Sequence, residues 1–340
     1  MKAIVFREGA KWAVEDVDDP TPAPDEVVLK VLRTGVCGTD EHLLHGGFIA
    51  KLPLIPGHEI VGEVVEVGSR VVGRPIGTRV VVDNASYCGR CGPCSNGAPL
   101  FCENFHSLGC NAPGGFAERV AVRADKTYPI GDLDIDVAVL AEPLACAVHG
   151  MDMLDPPLGA NALVFGAGPT GLLLAQLLQM AGAASVTTAA PTESKLDVAK
   201  GLGVDHVVRL VRGDPAAAEP ALREIAPKGF DVVIEATGAI ELLEASPALT
   251  RTGGTVMVYG VAAEDATARI RPYEVFSREL TIKGSFAQAN CIERSLAILQ
   301  SGRVQASGIV TATVGFGSFG DAIANLHDSA QVKTVFIPTA

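Results

Sequence analysis

From Asn161 onward the chain alternates short apolar runs with helical ones, and the first junction reads Gly166-Ala167-Gly168-Pro169-Thr170-Gly171. ALVFGAG has the length and apolar content of a buried strand, and GPTGLLLAQLLQMAG reads as a helix apolar on nearly every face. SVTTAA, ESKLDVAKGLG and DHVVRL follow as strand, helix and strand, and FDVVIEATG, TVMVYG and ELTIKGSF continue the series. This grammar predicts an α/β domain built on a parallel sheet with helices on both faces. A G-x-G-x-x-G taken alone is a weak signal. One that follows a strand and opens a helix marks a dinucleotide site, because the glycines let backbone N–H groups approach a pyrophosphate at the helix N-terminus. Gly166, Gly168, Pro169, Thr170 and Gly171 are therefore candidate cofactor contacts, against the plainer reading of a structural Gly-rich turn.

The end of the second strand bears on which nucleotide is bound. An NAD site places Asp or Glu about 20 residues past the glycines to hold the ribose 2′-OH. Here the chain reads Thr188-Ala189-Ala190-Pro191-Thr192, and Glu193 comes only afterwards. Without a carboxylate to repel a 2′-phosphate the balance leans to NADP over NAD. Thr192, Ser194 and Lys195 could supply donors at the ribose end, Ala190 and Thr237 are further candidate cofactor contacts, and no Arg is adjacent in sequence.

Residues 1 to about 140 have a different grammar: short β-branched runs (AIVF, EVVLKVLRTG, IVGEVVEVG, TRVVVD, FAERVAVR) separated by Gly, Pro and Asp turns. They predict a β-rich, barrel-like domain carrying its function on loops. Within it Cys88, Cys91, Cys94 and Cys102 form C-x2-C-x2-C-x7-C among Gly89, Gly92, Pro93 and Gly97. Four thiolates close a tetrahedral zinc and leave no position for substrate, so this lobe is a candidate structural site. A DNA-binding zinc module is disfavoured, since Arg90 is the lone basic residue between the cysteines and no recognition-helix pattern follows.

A second donor set lies in Gly35–Ile60, where Cys37, His58 and Glu59 offer S, N and O ligands with Thr39, Asp40 and His42 beside them. Mixed donors with surplus hydrogen-bonding groups suit a catalytic zinc that keeps one position open. Glu142, a carboxylate in the apolar run Ala141–His149, is the candidate for a remaining ligand, with Cys146 and His149 as weaker rivals.

A length of 340 residues suits two domains. A net charge of −12 argues against nucleic acid as the main partner, which requires a basic surface. The N-terminus lacks a signal-peptide pattern, and no apolar run approaches the roughly 18 residues a membrane span needs. Clustered cysteines fit metal binding in a reducing compartment, so a soluble cytoplasmic protein is expected. The Ala-rich stretch Pro215–Pro227 reads as a surface helix.

In order along the chain, GVCGTDEH, PGHE, the four-cysteine lobe, EPLACAVHG and GAGPTG resemble the zinc-containing medium-chain alcohol dehydrogenase family over essentially the full length. Glu142 stands where the alcohol dehydrogenases proper use Cys, which resembles the polyol (sugar-alcohol) dehydrogenase branch. The resemblance implies a GroES-like catalytic domain of residues 1–143 and 287–340 enclosing a Rossmann dinucleotide domain of residues 144–286. It implies two Zn²⁺ per chain, one at Cys37 and His58 with Glu59 either ligating directly or sitting behind the metal and Glu142 either a ligand or its water-bridged neighbour, and one in the cysteine lobe. It further implies that Thr39 receives the substrate proton, that His42 relays it, that Asp40 orients His58, and that the assembly is a homotetramer. The implied reaction is hydride transfer between a polyol or related secondary alcohol and NADP or NAD, giving a ketose or ketone. Aldose and threonine dehydrogenases are the alternatives within that chemistry. A zinc-free quinone or enone reductase and a non-catalytic nucleotide-binding protein are the rivals outside it. Two positions depart from the polyol pattern: Leu43 follows the relay histidine where an aromatic is common, and Ala287 and Gln288 follow Gly284-Ser285-Phe286 where Arg is common.

Overall fold

The computed structural model describes residues 1–326 and 331–339. The chain divides into two compact units: Met1–Ala145 with Ala289–Gly302 and Val310–Ala340, and Cys146–Gln288 with Arg303–Ile309. The short segment Arg303–Ile309 thus packs with the second unit, although the sequence reading groups it with the C-terminal part of the first. Gln176 holds it there, its side-chain carbonyl accepting from Gln305 N–H at 2.7 Å.

The first unit is organised around the strand Glu26–Gly35, which pairs antiparallel along its length with Glu59–Val67. On its other edge Arg119–Arg123 pairs with Glu26–Lys30, and Lys333–Phe336 pairs with Thr34 and Gly35. Val310–Val314, Arg79–Val82 and Thr127–Pro129 complete a seven-stranded sheet. Val27, Leu29 and Val31 alternate inward against Ile60, Val64, Val80, Val82, Val120 and Val122, the β-branched surface that a pleated sheet favours. A second cluster packs Phe6, Phe116, Phe319 and Phe336 ring against ring.

The second unit is a six-stranded, wholly parallel sheet. Its spatial order is His206–Arg209, Ser185–Ala190, Asn161–Phe165, Phe230–Glu235, Thr250–Val258, Thr281–Gly284. In chain order this is 3-2-1-4-5-6, the doubly wound arrangement whose crevice opens where strands 1 and 4 diverge. The three central strands, Ser185–Ala190, Asn161–Phe165 and Phe230–Glu235, are buried along nearly their whole length, as a parallel sheet covered on both faces requires. The helix Pro169–Met180 covers the first crossover and buries every residue from Gly171 to Leu178. The Ala-rich stretch differs from the single surface helix expected. It is a 3₁₀ turn, Pro215–Ala218, followed by a helix, Glu219–Ile225, that starts around Pro220 and buries Leu222 in the core. Proline disfavours helical geometry in the residue before it but suits a first turn, so the run divides there. No helix among the described residues is long and apolar enough to cross a membrane.

Candidate metal and cofactor sites

Cys37 caps the helix Gly38–Leu44 in extended conformation, and its N–H donates to Asp40 Oδ2 at 2.9 Å. That bond fixes where the thiol stands. Glu59 opens the strand that pairs with Glu26–Gly35 and lies directly across from Gly35. Because Cys37 follows that strand by two residues and His58 precedes Glu59, the ladder register carries all three donors to one place. Their ligand atoms lie within 4.8 Å of one another. Thr39 Oγ1 sits 3.7 Å from Cys37 Sγ, and His42 stands three residues on, on the same helix face.

Asp40, His58 and Glu59 are all buried, and Asp40 Oδ1, His58 Nδ1 and Glu59 Oε2 have no hydrogen-bond partner. Asp40 Oδ1 and His58 Nδ1 face one another just beyond hydrogen-bond reach, and Glu59 Oε2 has nothing at all, so in a fold where buried polar atoms are normally paired the cluster marks a place built for something further. Asp40 Oδ1 lies 3.6 Å from His58 Nδ1, which leaves Nε2 for a metal. Burial opposes charging the imidazole, yet Cys110, Asp40 and Cys37 outweigh it and hold the His58 pKa well above the ordinary histidine value. The cluster thus calls for positive charge, and its S, N and O donors fit zinc. Glu142 is buried in the first turn of the helix Ala141–Leu154 and does not join the donors gathered within 4.8 Å, nor do Cys146 and His149.

Two neighbours escape sequence reading. Cys110 is buried and faces His58. Lys333, from the C-terminal strand, places Nζ 2.5 Å from Glu59 Oε1 with both side chains almost fully buried.

The cysteine lobe is self-contained. Cys91 caps the one-turn helix Gly92–Ser95, and the four Sγ atoms lie within 4.8 Å of one another. Cys91 and Cys102 are 3.8 Å apart, the separation of about 3.8 Å that two sulfurs 2.3 Å from a tetrahedral zinc would have. The N–H groups of Cys88 and Asn104 each donate to Cys102 Sγ at 3.3 Å. N–H donors of Arg90 and Cys91 pull the Cys88 pKa down to about 6, while desolvation pushes Cys94 up to about 12. With Cys94 pushed up, the four thiols do not all ionise unaided, and the lobe fits a metal that would supply the missing charge.

At the second unit's switch point Gly166 takes φ 112°, and a Cβ there would stand 2.9 Å from Thr237 Cγ2. A Cβ at Gly171 would lie 2.1 Å from Gly166 O, whereas Gly168 faces open space. The turn is therefore backbone-lined, with the first-turn N–H groups of Thr170 and Gly171 left as donors, a cradle that fits a pyrophosphate. Thr237 is held by Glu235, which accepts from Thr237 N at 2.7 Å, Gly238 N at 3.0 Å and the Thr237 hydroxyl. Burial raises the Glu235 pKa against those bonds. The signal for Glu235 was a carboxylate inside an apolar run, the same signal that singled out Glu142. Ala190 is buried at its strand end, Thr192 precedes the helix Glu193–Gly201, and Lys195 is half-buried in its first turn. Arg209, missed because it is distant in sequence, lies in register beside Ala190 and 3.7 Å from Glu193.

Residues 23–132 match the family model of the alcohol dehydrogenase GroES-like domain, and residues 169–301 match that of the zinc-binding dehydrogenases. D-arabinitol dehydrogenase 1 of Uromyces fabae is 42% identical over 339 residues, covering 99% of this chain and 97% of that protein. D-altritol 5-dehydrogenase of Agrobacterium fabrum is 39% identical over 306 residues, 88% of each. A crystal structure described as a zinc-binding dehydrogenase from Sinorhizobium meliloti, bound to NADP, superposes with a TM-score of 0.93 at 33% identity over 99% of both chains. The chain belongs to the zinc-containing medium-chain alcohol dehydrogenase family, in its polyol dehydrogenase branch. It is an NAD(P)-dependent oxidoreductase acting on a small-molecule alcohol.

Proposed function

We propose that this enzyme oxidises a sugar alcohol to a ketose with NADP, using one zinc at Cys37, His58 and Glu59 and a second, structural zinc at Cys88, Cys91, Cys94 and Cys102. The observation that carries the reading is the cluster of mixed donors with three unpartnered buried atoms, in a chain 42% identical to a D-arabinitol dehydrogenase over nearly its whole length. Glu142 is the candidate for a further ligand of the first zinc. When bound, zinc supplies a Lewis acid to the substrate oxygen and the nicotinamide supplies the hydride acceptor.

The chain's own residues do the rest. Asp40 holds Cys37 through its N–H and faces the His58 ring, so both donors keep their aim. Thr39, beside the Cys37 thiol, accepts the substrate's hydroxyl proton through a hydrogen bond. His42, half-buried one turn further on, relays that proton toward solvent. Gly166, Gly168, Pro169, Thr170 and Gly171 form the pyrophosphate cradle, and Glu235 fixes Thr237 against it.

NADP is supported by two features. The second strand ends without a carboxylate, and Arg209 lies beside Ala190 at the ribose end, with Thr192 and Lys195 nearby. A homotetramer in the cytoplasm completes the proposal, by analogy with the branch.

The test is formation of reduced nicotinamide by zinc-replete protein. D-arabinitol and other sugar alcohols, aldoses, simple secondary alcohols and threonine are each supplied with NADP and with NAD. A polyol rate well above the others, faster with NADP, is expected. A preference for threonine or an aldose moves the substrate class, and a preference for NAD removes the 2′-phosphate reading.

A further inference from the structure

Lys333 and Glu59 form a buried ion pair assembled by sheet register. Gly35 closes the central strand, with Glu59 opposite it on one side and Val335 opposite it on the other. Lys333 stands two residues before Val335 on the same strand and so faces the same side of the sheet. Its side chain crosses over Gly35 to reach Glu59. Gly35 permits this by having no side chain: a Cβ there would lie 1.9 Å from Glu59 Oε2 and 2.9 Å from Lys333 Cε. The lysine is 3% exposed and the glutamate 1%, so neither charge is satisfied by water. Lysine is almost never buried so deeply without a partner.

The two carboxylate oxygens are treated differently. Oε1 accepts from Lys333 Nζ at 2.5 Å, while Oε2 is buried and has no partner.

We propose that Lys333 is a positioning residue that ties down one oxygen of Glu59, so that the other alone faces the metal, and whose charge weakens the hold of the cluster on zinc. This rests on the zinc reading of Cys37, His58 and Glu59. A three-donor set with a one-oxygen carboxylate keeps a position open for substrate, whereas a carboxylate free to chelate with both oxygens would tend to fill it.

The experiment compares the full-length enzyme with Lys333→Met and Lys333→Gln. Zinc affinity is measured by chelator competition, and the absorption bands of the cobalt-substituted protein report coordination. The wild type is expected to release two zincs in separable steps. Lys333→Met should hold the weaker one about tenfold more tightly, through loss of a repelling cation, and its cobalt bands should shift as the second oxygen of Glu59 takes up the open position. Lys333→Gln keeps a hydrogen-bond donor for Oε1 without the charge. It should show tighter zinc with unaltered bands, and it stands in should Lys333→Met not fold. Unchanged or weaker zinc binding in a folded variant, with native bands, overturns the proposal and leaves Lys333 a structural counter-ion. Failure of the wild type to bind a second zinc overturns the underlying metal reading instead.

Discussion

Two clusters of metal donors sit in the first unit, and they differ in how they are built. The Cys88–Cys102 lobe draws four identical donors from one short loop, and backbone N–H groups of the same loop steady the sulfurs. The other cluster gathers three unlike donors from a helix cap and a strand start, a carboxylate from within that helix and a lysine from the C-terminal strand. The lobe is closed in donors and in sequence. The second cluster is open in both: buried atoms of Asp40, His58 and Glu59 are left without partners, and Thr39 stands at the Cys37 thiol. A closed shell fixes a loop, and an open one leaves chemistry to be done.

The widest separation between the two should come from Cys37→Ser. Turnover is expected to fall by about 1,000-fold or more, because Lewis-acid assistance is lost, with cofactor affinity by fluorescence titration within about twofold of wild type. One zinc per chain should remain, in the lobe. Retained turnover would end the distinction between the clusters. Gly35→Ala is the next largest. Its Cβ would enter the space of Glu59 Oε2, so turnover should fall by about 100-fold together with zinc at that cluster, while the lobe keeps its metal. Metal analysis beside a rate measurement reads both. Full activity would show that Glu59 has room to move and that its position over Gly35 is immaterial.

The same contrast explains what was legible in the sequence. The cysteine lobe was legible because its donors are local and chemically uniform. The dinucleotide turn was legible because strand, glycines and helix are contiguous. Cys37, His58 and Glu59 could be named as donors from their chemistry. Lys333 could not, because it is 274 residues from Glu59 and its role exists only through the register of three strands. Arg209 was hidden likewise, since its neighbour Ala190 is set by parallel pairing across a crossover. Glu235 did carry a signal, a charge within an apolar run, but periodicity does not say which way such a side chain turns.

Cys94→Ser tests the closed side of the comparison. Removing one sulfur leaves three thiols around a metal with an unfilled position, and the loop loses its staple. The thermal midpoint should fall and zinc should drop by one per chain, while turnover per folded molecule stays within about threefold, because the four lobe cysteines form a donor group separate from the proposed reacting centre. Thermal unfolding followed beside initial rates would decide. A variant as stable as wild type yet inactive would place chemistry in the lobe and reverse the assignment.

The smallest expected effect lies outside both clusters, and it guards the comparison against a trivial explanation in which any change to this enzyme slows it. Arg209→Gln removes a cation whose pair with Glu193 is solvent-exposed, with side chains 68% and 57% accessible, so the pair itself contributes little to stability. A 2′-phosphate, doubly charged and an acceptor on every oxygen, is a stronger partner than that carboxylate. The KM for NADP should therefore rise by about fivefold, with NAD changed by less than about twofold and both zincs retained. The ratio of the two cofactors matters more than either rate, because a general loss of packing would lower both together. An unchanged ratio would remove Arg209 from the ribose end and return the 2′-phosphate to Thr192 and Lys195, at the cap and in the first turn of the helix that follows the second strand.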